Sequence, residues 1–471
     1  MTRFSLSLVV ALMLGACAVG PDYKRPGPPA SKAIDAGAFQ RVPDTGADAE
    51  VPLARWWEAL DDPELNHLVE RGLAEAPGIA AAEARARQAR AGLTRARAAL
   101  APQVAASAAY IYADLPEDAF GTDTSENELF LEGFDARWEL DLWGGARRGA
   151  EKARAQAQAA DAQLADAQVQ LSAEIARTYV ELRNREVALA LLEQRLALES
   201  RLADLMQLRF NAGAIAKQEL VSTRARSDRT AGQRDWMIAD RAALLDSLAV
   251  LTGSAPGSLD GLAQGPIPVP PAQVSVGDPA TMLARRPDIR SAERKLAAAS
   301  AQIGVEKARY FPSISLIGLI GIGGTSASDM FDTSQVSSIA VPQLRWNFLD
   351  FGRTAGAVRG AKAGRDAALA EYHASVLAAL QDAEASLAHF GAARSSYRHS
   401  QSAAGHASET ARLEDLRSKA GAIASGEAME AEIGSLDARI SMAGRKAGLA
   451  LSYIRLSKAL GLGWQAGAGP E

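Results

Sequence analysis

Leu208-Arg209-Phe210-Asn211-Ala212-Gly213-Ala214-Ile215-Ala216 returns 208 residues later as Leu416-Arg417-Ser418-Lys419-Ala420-Gly421-Ala422-Ile423-Ala424. Each copy sets one Gly at the end of a long run rich in Ala, Leu, Arg, Glu and Gln, with a second such run close behind. That arrangement predicts a sharp turn between two long helices, because Gly enters the left-handed C-cap conformation more readily than residues with a Cβ. The register extends outward. Leu73-Ala74-Glu75-Ala76-Pro77-Gly78-Ile79 answers to Leu283-Ala284-Arg285-Arg286-Pro287-Asp288-Ile289, and Arg137-Trp138 answers to Arg345-Trp346. Two long copies imply a duplicated, pseudo-symmetric design and argue against a short-period solenoid. Repeat one is expected over residues 61–253, a Pro- and Gly-rich linker over 254–278, repeat two over 279–463 and a short tail over 464–471.

After Trp143-Gly144-Gly145 a helix is predicted to run unbroken to Gly213, and after Phe351-Gly352 its counterpart runs to Gly421. At 1.5 Å per residue each is on the order of 100 Å long. In the first, Leu182, Leu189, Leu192 and Leu196 form one apolar stripe, and Val187, Leu191, Leu198, Leu202 and Leu205 form another half a turn away. A helix lying on a globular core needs one stripe. A helix with a seam on each side touches a neighbour on both, as a stave does in a closed tube.

Between the helical runs the period drops to two. Residues 103–112 and 129–140 alternate, and so do 313–322 and 338–348. In the second strand Phe130, Phe134, Ala136, Trp138 and Leu140 share one face, and Asp135, Arg137 and Glu139 share the other. Asp114 to Glu128 reads as an acidic, solvent-facing loop. Such strands, with aromatics near one end, fit a transmembrane β-barrel, although a soluble hairpin on a core alternates in the same way. Four strands cannot close a barrel in lipid, where open edges are not tolerated. Strands placed in a membrane therefore require several chains to share one barrel.

The formal charge of −5 and pI of 5.8 offer nothing to nucleic acid. The five His are scattered, and no metal-ligand spacing, catalytic triad or phosphate-binding loop is present, so no catalytic residue, metal site or soluble cofactor is nominated. Residues 1–16 read as an export signal: a charged start, a short apolar run from Leu6 to Leu14, then Gly15-Ala16. Leu14-Gly15-Ala16-Cys17 resembles the bacterial lipobox, which makes Cys17, the only cysteine, the expected site of a covalent lipid such as palmitate. The Pro-, Gly- and Ala-rich stretch over 17–60 is expected to run extended over the rest of the chain. Asp62-Pro63 supplies an N-cap and first helical residue.

Together the lipobox, Gly20-Pro21-Asp22-Tyr23-Lys24-Arg25-Pro26, Arg285-Arg286-Pro287-Asp288-Ile289, Phe311-Pro312-Ser313-Ile314-Ser315-Leu316 and the paired turns resemble the TolC-type outer membrane factors, in their lipoprotein branch, the NodT group. The resemblance implies a mainly α fold with a small transmembrane β part. It implies a homotrimer whose four strands per chain give a 12-stranded β-barrel, continued by a long periplasmic α-helical barrel. It implies an outer membrane exit duct, lipid-anchored and spanning, for tripartite efflux or type I secretion. Its partners are a periplasmic adaptor (membrane fusion) protein, an inner-membrane transporter and outer membrane lipid.

By that resemblance the two turns are the tips where the adaptor docks, through Leu208, Arg209, Gly213 and Ala214 and through Leu416, Arg417, Gly421 and Ala422. The acidic residues that narrow the channel map to Glu427 and Glu430, and Ser425-Gly426 stands where bulkier apolar residues are expected. The rival readings are a trimeric structural or adaptor-like envelope lipoprotein without a pore, which has no use for four alternating strands, and an envelope enzyme, for which no pocket is nominated.

Overall fold

The computed structural model describes residues 18–29, 34, 37–42, 54–114, 126–271 and 274–464. Cys17 with the expected export signal, the centre of the acidic loop and the tail beyond Trp464 lie outside them. The chain divides into two compact units. One collects Met1–Gly27, Arg85–Asp161 and Ser291–His373, and the other Pro28–Ala84, Ala162–Arg290 and Ala374–Glu471. Neither unit is a sequence half; each draws on both.

Eight α-helices and four strands alternate in chain order among the described residues. The first half runs α1 (Pro63–Glu75), α2 (Pro77–Ala98), β1 (Gln103–Asp114), β2 (Glu126–Leu140), α3 (Gly145–Asn211) and α4 (Lys217–Leu251). The second runs α5 (Pro279–Arg285), α6 (Pro287–Ala308), β3 (Ser313–Gly324), β4 (Val336–Arg345), α7 (Arg353–Lys419) and α8 (Ser425–Ala459). Helices α3 and α7 each have 67 residues, and α4 and α8 each have 35. No helix among the described residues is long and apolar enough to cross a membrane.

The first unit holds one antiparallel sheet in the order β1-β2-β3-β4. Its register places Val104 opposite Ala136, Tyr110 opposite Phe130, Phe134 opposite Ile320, Trp138 opposite Leu316, and Ile314 opposite Leu344. These residues share a face, and it is open: Tyr110 is 56%, Phe134 60% and Leu344 63% exposed. On the other face Gln103, Arg137, Glu139, Ser315, Gln343 and Arg345 stand toward the foot, the end joined to the helices, where Arg137 is level with Ile317 and Val341; Asp135 follows, level with Leu319 and Ile339. β2 begins three residues before the sequence suggests, because the ladder carries Glu126 to Glu128 against Tyr112 to Asp114. β4 stops at Arg345, and residues 346–350 continue as irregular chain toward α7.

Indole hydrogen bonds fasten that foot. Trp138 Nε1 donates to the Leu100 carbonyl at 3.0 Å and Trp346 Nε1 to the Tyr310 carbonyl at 3.1 Å. Trp143 stacks on Phe311, with centroids 4.6 Å apart and planes inclined 18°, and donates to the Pro312 carbonyl at 2.8 Å. The extended N-terminal segment is fastened to the same unit. Val19 N donates to the Trp143 carbonyl at 3.0 Å, Asp22 pairs with the buried Arg148 at 2.7 Å, and the Tyr23 hydroxyl donates to Glu293.

In the second unit Trp56 and Trp57 meet edge to face, with centroids 5.9 Å apart, among Leu65, Leu68, Ile175, Leu182, Leu248 and Tyr453, all buried. Burying such side chains stabilises the unit by about 1.5–3 kcal/mol each. α1 starts as expected: Asp62 Oδ1 accepts from Glu64 N at 3.0 Å and Leu65 N at 3.1 Å, with Pro63 in the first helical position. Asp278 does the same for α5, accepting from Thr281 N at 2.9 Å. A buried polar group crosses this core. Arg183, itself 2% exposed, donates to Glu186 at 2.8 Å, to the Ala263 carbonyl of the linker at 2.7 Å and to the Tyr179 hydroxyl at 3.0 Å. Tyr179 in turn donates to Asp62 at 2.8 Å.

Candidate functional site

The two turns are built alike. At the first, Ala212 N donates to Leu208 O at 3.1 Å, Gly213 N to Phe210 O at 2.9 Å and Ala214 N to Arg209 O at 2.8 Å. At the second, Ala420 N donates to Leu416 O at 3.0 Å, Gly421 N to Ser418 O at 3.0 Å and Ala422 N to Arg417 O at 2.9 Å. Gly213 and Gly421 have φ of 73° and 72°, the left-handed geometry that lets the last carbonyls of α3 and α7 find donors.

Both turns present apolar and basic side chains to solvent. Leu208 is 67% and Leu416 50% exposed, and Arg209 and Arg417 flank them. Arg417 is engaged by Glu414 at 2.9 Å, whereas Arg209 makes no ion pair among the described residues. The helices that follow start on Ala216 and Ala424, neither of which offers a capping side chain. Their first amides are therefore left for solvent or a partner.

The acidic residues separate in character. Glu427 lies exposed in the first turn of α8 and makes no ion pair among the described residues. Glu430, one turn on, takes two hydrogen bonds from Arg226 of α4, at 2.6 and 3.0 Å. Those bonds, working against partial burial, hold the Arg226 guanidinium above its ordinary range. Arg226 Nε also stands 3.6 Å from Glu199 of α3, whose side chain is fully buried. Glu199 is paired with Arg195 at 3.0 Å, and Arg195 reaches Asp437 of α8 at 2.8 Å. Glu430, Arg226, Glu199, Arg195 and Asp437 thus alternate in sign along a chain of contacts tying α8 to α3 and α4.

Gly426 packs on α3, where an added Cβ would lie 3.4 Å from Met206 Cε and 3.5 Å from Leu202 Cδ1. An added methyl group would therefore sit in ordinary contact with α3. The partners of Glu430 were not visible in the sequence, because Arg226 and Glu430 are 204 residues apart and meet only through helix packing. No cluster of three or more metal-ligating side chains occurs among the described residues.

The chain is 30% identical over 461 residues, 96% of each chain, to "Nodulation protein T" of Rhizobium leguminosarum bv. trifolii. It is 30% identical over 485 residues, 99% of this chain and 98% of the relative, to "Pyoverdine export outer membrane protein OpmQ" of Pseudomonas aeruginosa. Among solved structures, the outer-membrane channel OprN superposes with a TM-score of 0.82 at 30% identity, covering 95% of this chain and all of the other. The sequence model of the outer membrane efflux proteins matches residues 68–254 and 279–462, one stretch in each half. With its two hairpins, its four-stranded sheet and these likenesses, the chain belongs to the outer membrane efflux protein family.

Proposed function

We propose that this outer membrane efflux protein is a passive exit duct: a homotrimer, lipidated at Cys17, whose shared barrel opens the outer membrane and whose helical hairpins reach through the periplasm to an adaptor and an inner-membrane transporter. The observation that carries this reading is the four-stranded sheet with exposed apolar side chains and two unpaired edges. Three such sheets, each lending an edge to the next, remove the edges that lipid cannot hydrate. The matched helix lengths of the two halves support the internal duplication and give each copy two equivalent staves. The pore-less lipoprotein fits neither this sheet nor the family.

The tips supply the docking surface. Leu208, Gly213 and Ala214, with Leu416, Gly421 and Ala422, present small and apolar contacts, and Arg209 is the free cation among them. Opening is a matter of charge. Three copies bring Glu427 together as an unpaired acidic ring that favours cations, while Glu430 is neutralised by Arg226 and serves to hold α8 against α4. Transport does no bond chemistry here; the transporter supplies the energy.

Single-channel recording of the purified protein in planar bilayers tests this. Stepwise, cation-preferring currents are expected, with Glu427→Gln reducing the cation preference and Glu430→Gln raising the fraction of time spent open. Absence of currents from folded trimer sinks the duct. Unchanged selectivity in Glu427→Gln removes the acidic ring and leaves the duct standing.

A further inference from the structure

The first unit holds a cleft of about 580 Å³ at the foot of the sheet, where β2 and β4 end, β3 begins and the long helices α3 and α7 start. Leu140, Trp143 and Phe311 form its apolar wall, and Phe311 is still 39% exposed after stacking on Trp143. Glu139, Ser313 and Arg345 enter it from the polar face of the sheet, and Arg353 from the first residue of α7. Its charged groups are not equally free. Asp141 accepts from Ala146 N at 2.9 Å and Arg147 N at 3.0 Å, and Asp350 from Gly352 N at 2.9 Å and Thr354 N at 2.8 Å, so each carboxylate is offset by the positive end of the helix it caps. Arg309 is engaged by Glu306 at 2.9 Å. Arg345, Arg353 and Glu139 form no ion pair among the described residues, although Arg353 attracts the nearby Asp350. Two open guanidiniums, one open carboxylate and an exposed apolar wall remain.

We propose that this cleft binds amphiphilic organic anions, with the apolar body on Leu140, Trp143 and Phe311 and a single acidic group on Arg345 and Arg353. The proposal rests on the duct reading and gives the duct a class of cargo for which its wall has affinity. A guanidinium presents a planar fork that matches a carboxylate, sulfonate or phosphate. A site of this volume, with an apolar wall and a few converging polar groups, suits a small organic molecule. In a membrane barrel the polar face of the strands lines the interior, so Glu139 and Arg345 stand on the side along which cargo passes. Glu139 opposes a second negative charge and so favours monoanions over dianions. Both arginines are exposed, which keeps the contact weak, and a passage needs a contact that releases quickly.

Equilibrium dialysis of 1-naphthalenesulfonate against the purified protein in a non-ionic detergent, with a detergent blank, tests the site without requiring a pore. Saturable binding is expected, weakened about three- to fivefold by Arg345→Gln or Arg353→Gln and tightened by a similar factor in Glu139→Gln. All three side chains are exposed and unpaired, so the variants should keep the native helical content. Uncharged 1-naphthalenemethanol should bind more weakly, and equally to the native protein and the variants. No saturable binding of the sulfonate, or binding that none of the substitutions alters, overturns the site. Equal losses for the sulfonate and the alcohol overturn the role of the two arginines. In planar bilayers the sulfonate should interrupt the single-channel current, at concentrations that shift among the variants in the same order as the dialysis. Binding without interruption overturns the cargo role, since the cleft would then lie off the conducting path. Absence of any current from folded trimer sinks the duct, and with it the cargo role, while the dialysis still decides whether the anion site exists.

Discussion

Gly213 and Gly421 are the residues whose role was plainest in the sequence, because a lone Gly closing a long helical run has few structural uses. At Gly421 an added Cβ meets nothing within 4 Å, so a substitution there is felt through the backbone alone. Gly421→Ala is expected to destabilise the second turn by about 1–2 kcal/mol, read as faster amide exchange confined to residues near the tip. Glu293 behaves differently. Burial alone would raise its carboxyl, but hydrogen bonds from Arg294 and Tyr23 overturn that and hold it below its ordinary value of 4.5. Its contribution is therefore complete above that pH and is lost as pH falls through the lower folded value. Acid titration should release the Tyr23 clamp below about pH 4.5, and Glu293→Gln should abolish that transition; an identical acid transition in the variant would remove Glu293 as its cause.

Among the elements, helices and strands were legible to within a few residues because their periods differ and Gly or Pro punctuates most boundaries. The apolar stripes of α3 were legible in part: Leu182, Leu191, Leu192 and Leu202 are buried, and Val187, Leu189, Leu196, Leu198 and Leu205 are half-buried. What α3 buries besides them was not, since the charged Arg183, Glu186 and Glu199 read in sequence as solvated face yet lie in the interior. Their partners, Ala263, Arg241 and Arg226, come from segments brought alongside only by folding. Glu186→Ala would leave Arg183 a buried, half-satisfied charge and is expected to cost about 3–5 kcal/mol by denaturant unfolding. Joint replacement of Arg183 and Glu186 by Met and Leu should recover most of that loss. A single variant as stable as the native protein would show the pair to be idle.

For the whole molecule, the proposed lipid on Cys17 and the sheet make separable claims on the outer membrane. Cys17→Ser protein, exported behind a signal that carries no lipobox, is expected to remain in the membrane fraction after alkaline washing, because the sheet alone holds it there. Release into the wash would mean that the lipid is the sole anchor. The matched helix lengths of the two halves agree with the repeated turn sequences, whereas the interleaving of both halves in each compact unit was not legible, since nothing local records which distant helix a face will meet.

The equal helix lengths carry a last consequence. With α3 matched to α7 at 67 residues and α4 to α8 at 35, the protein is a ruler marked twice. Removing two turns from one helix alone would leave its hairpin shorter than the other and set the two turns at unequal reach. A change of reach that keeps the two turns level must shorten all four helices together.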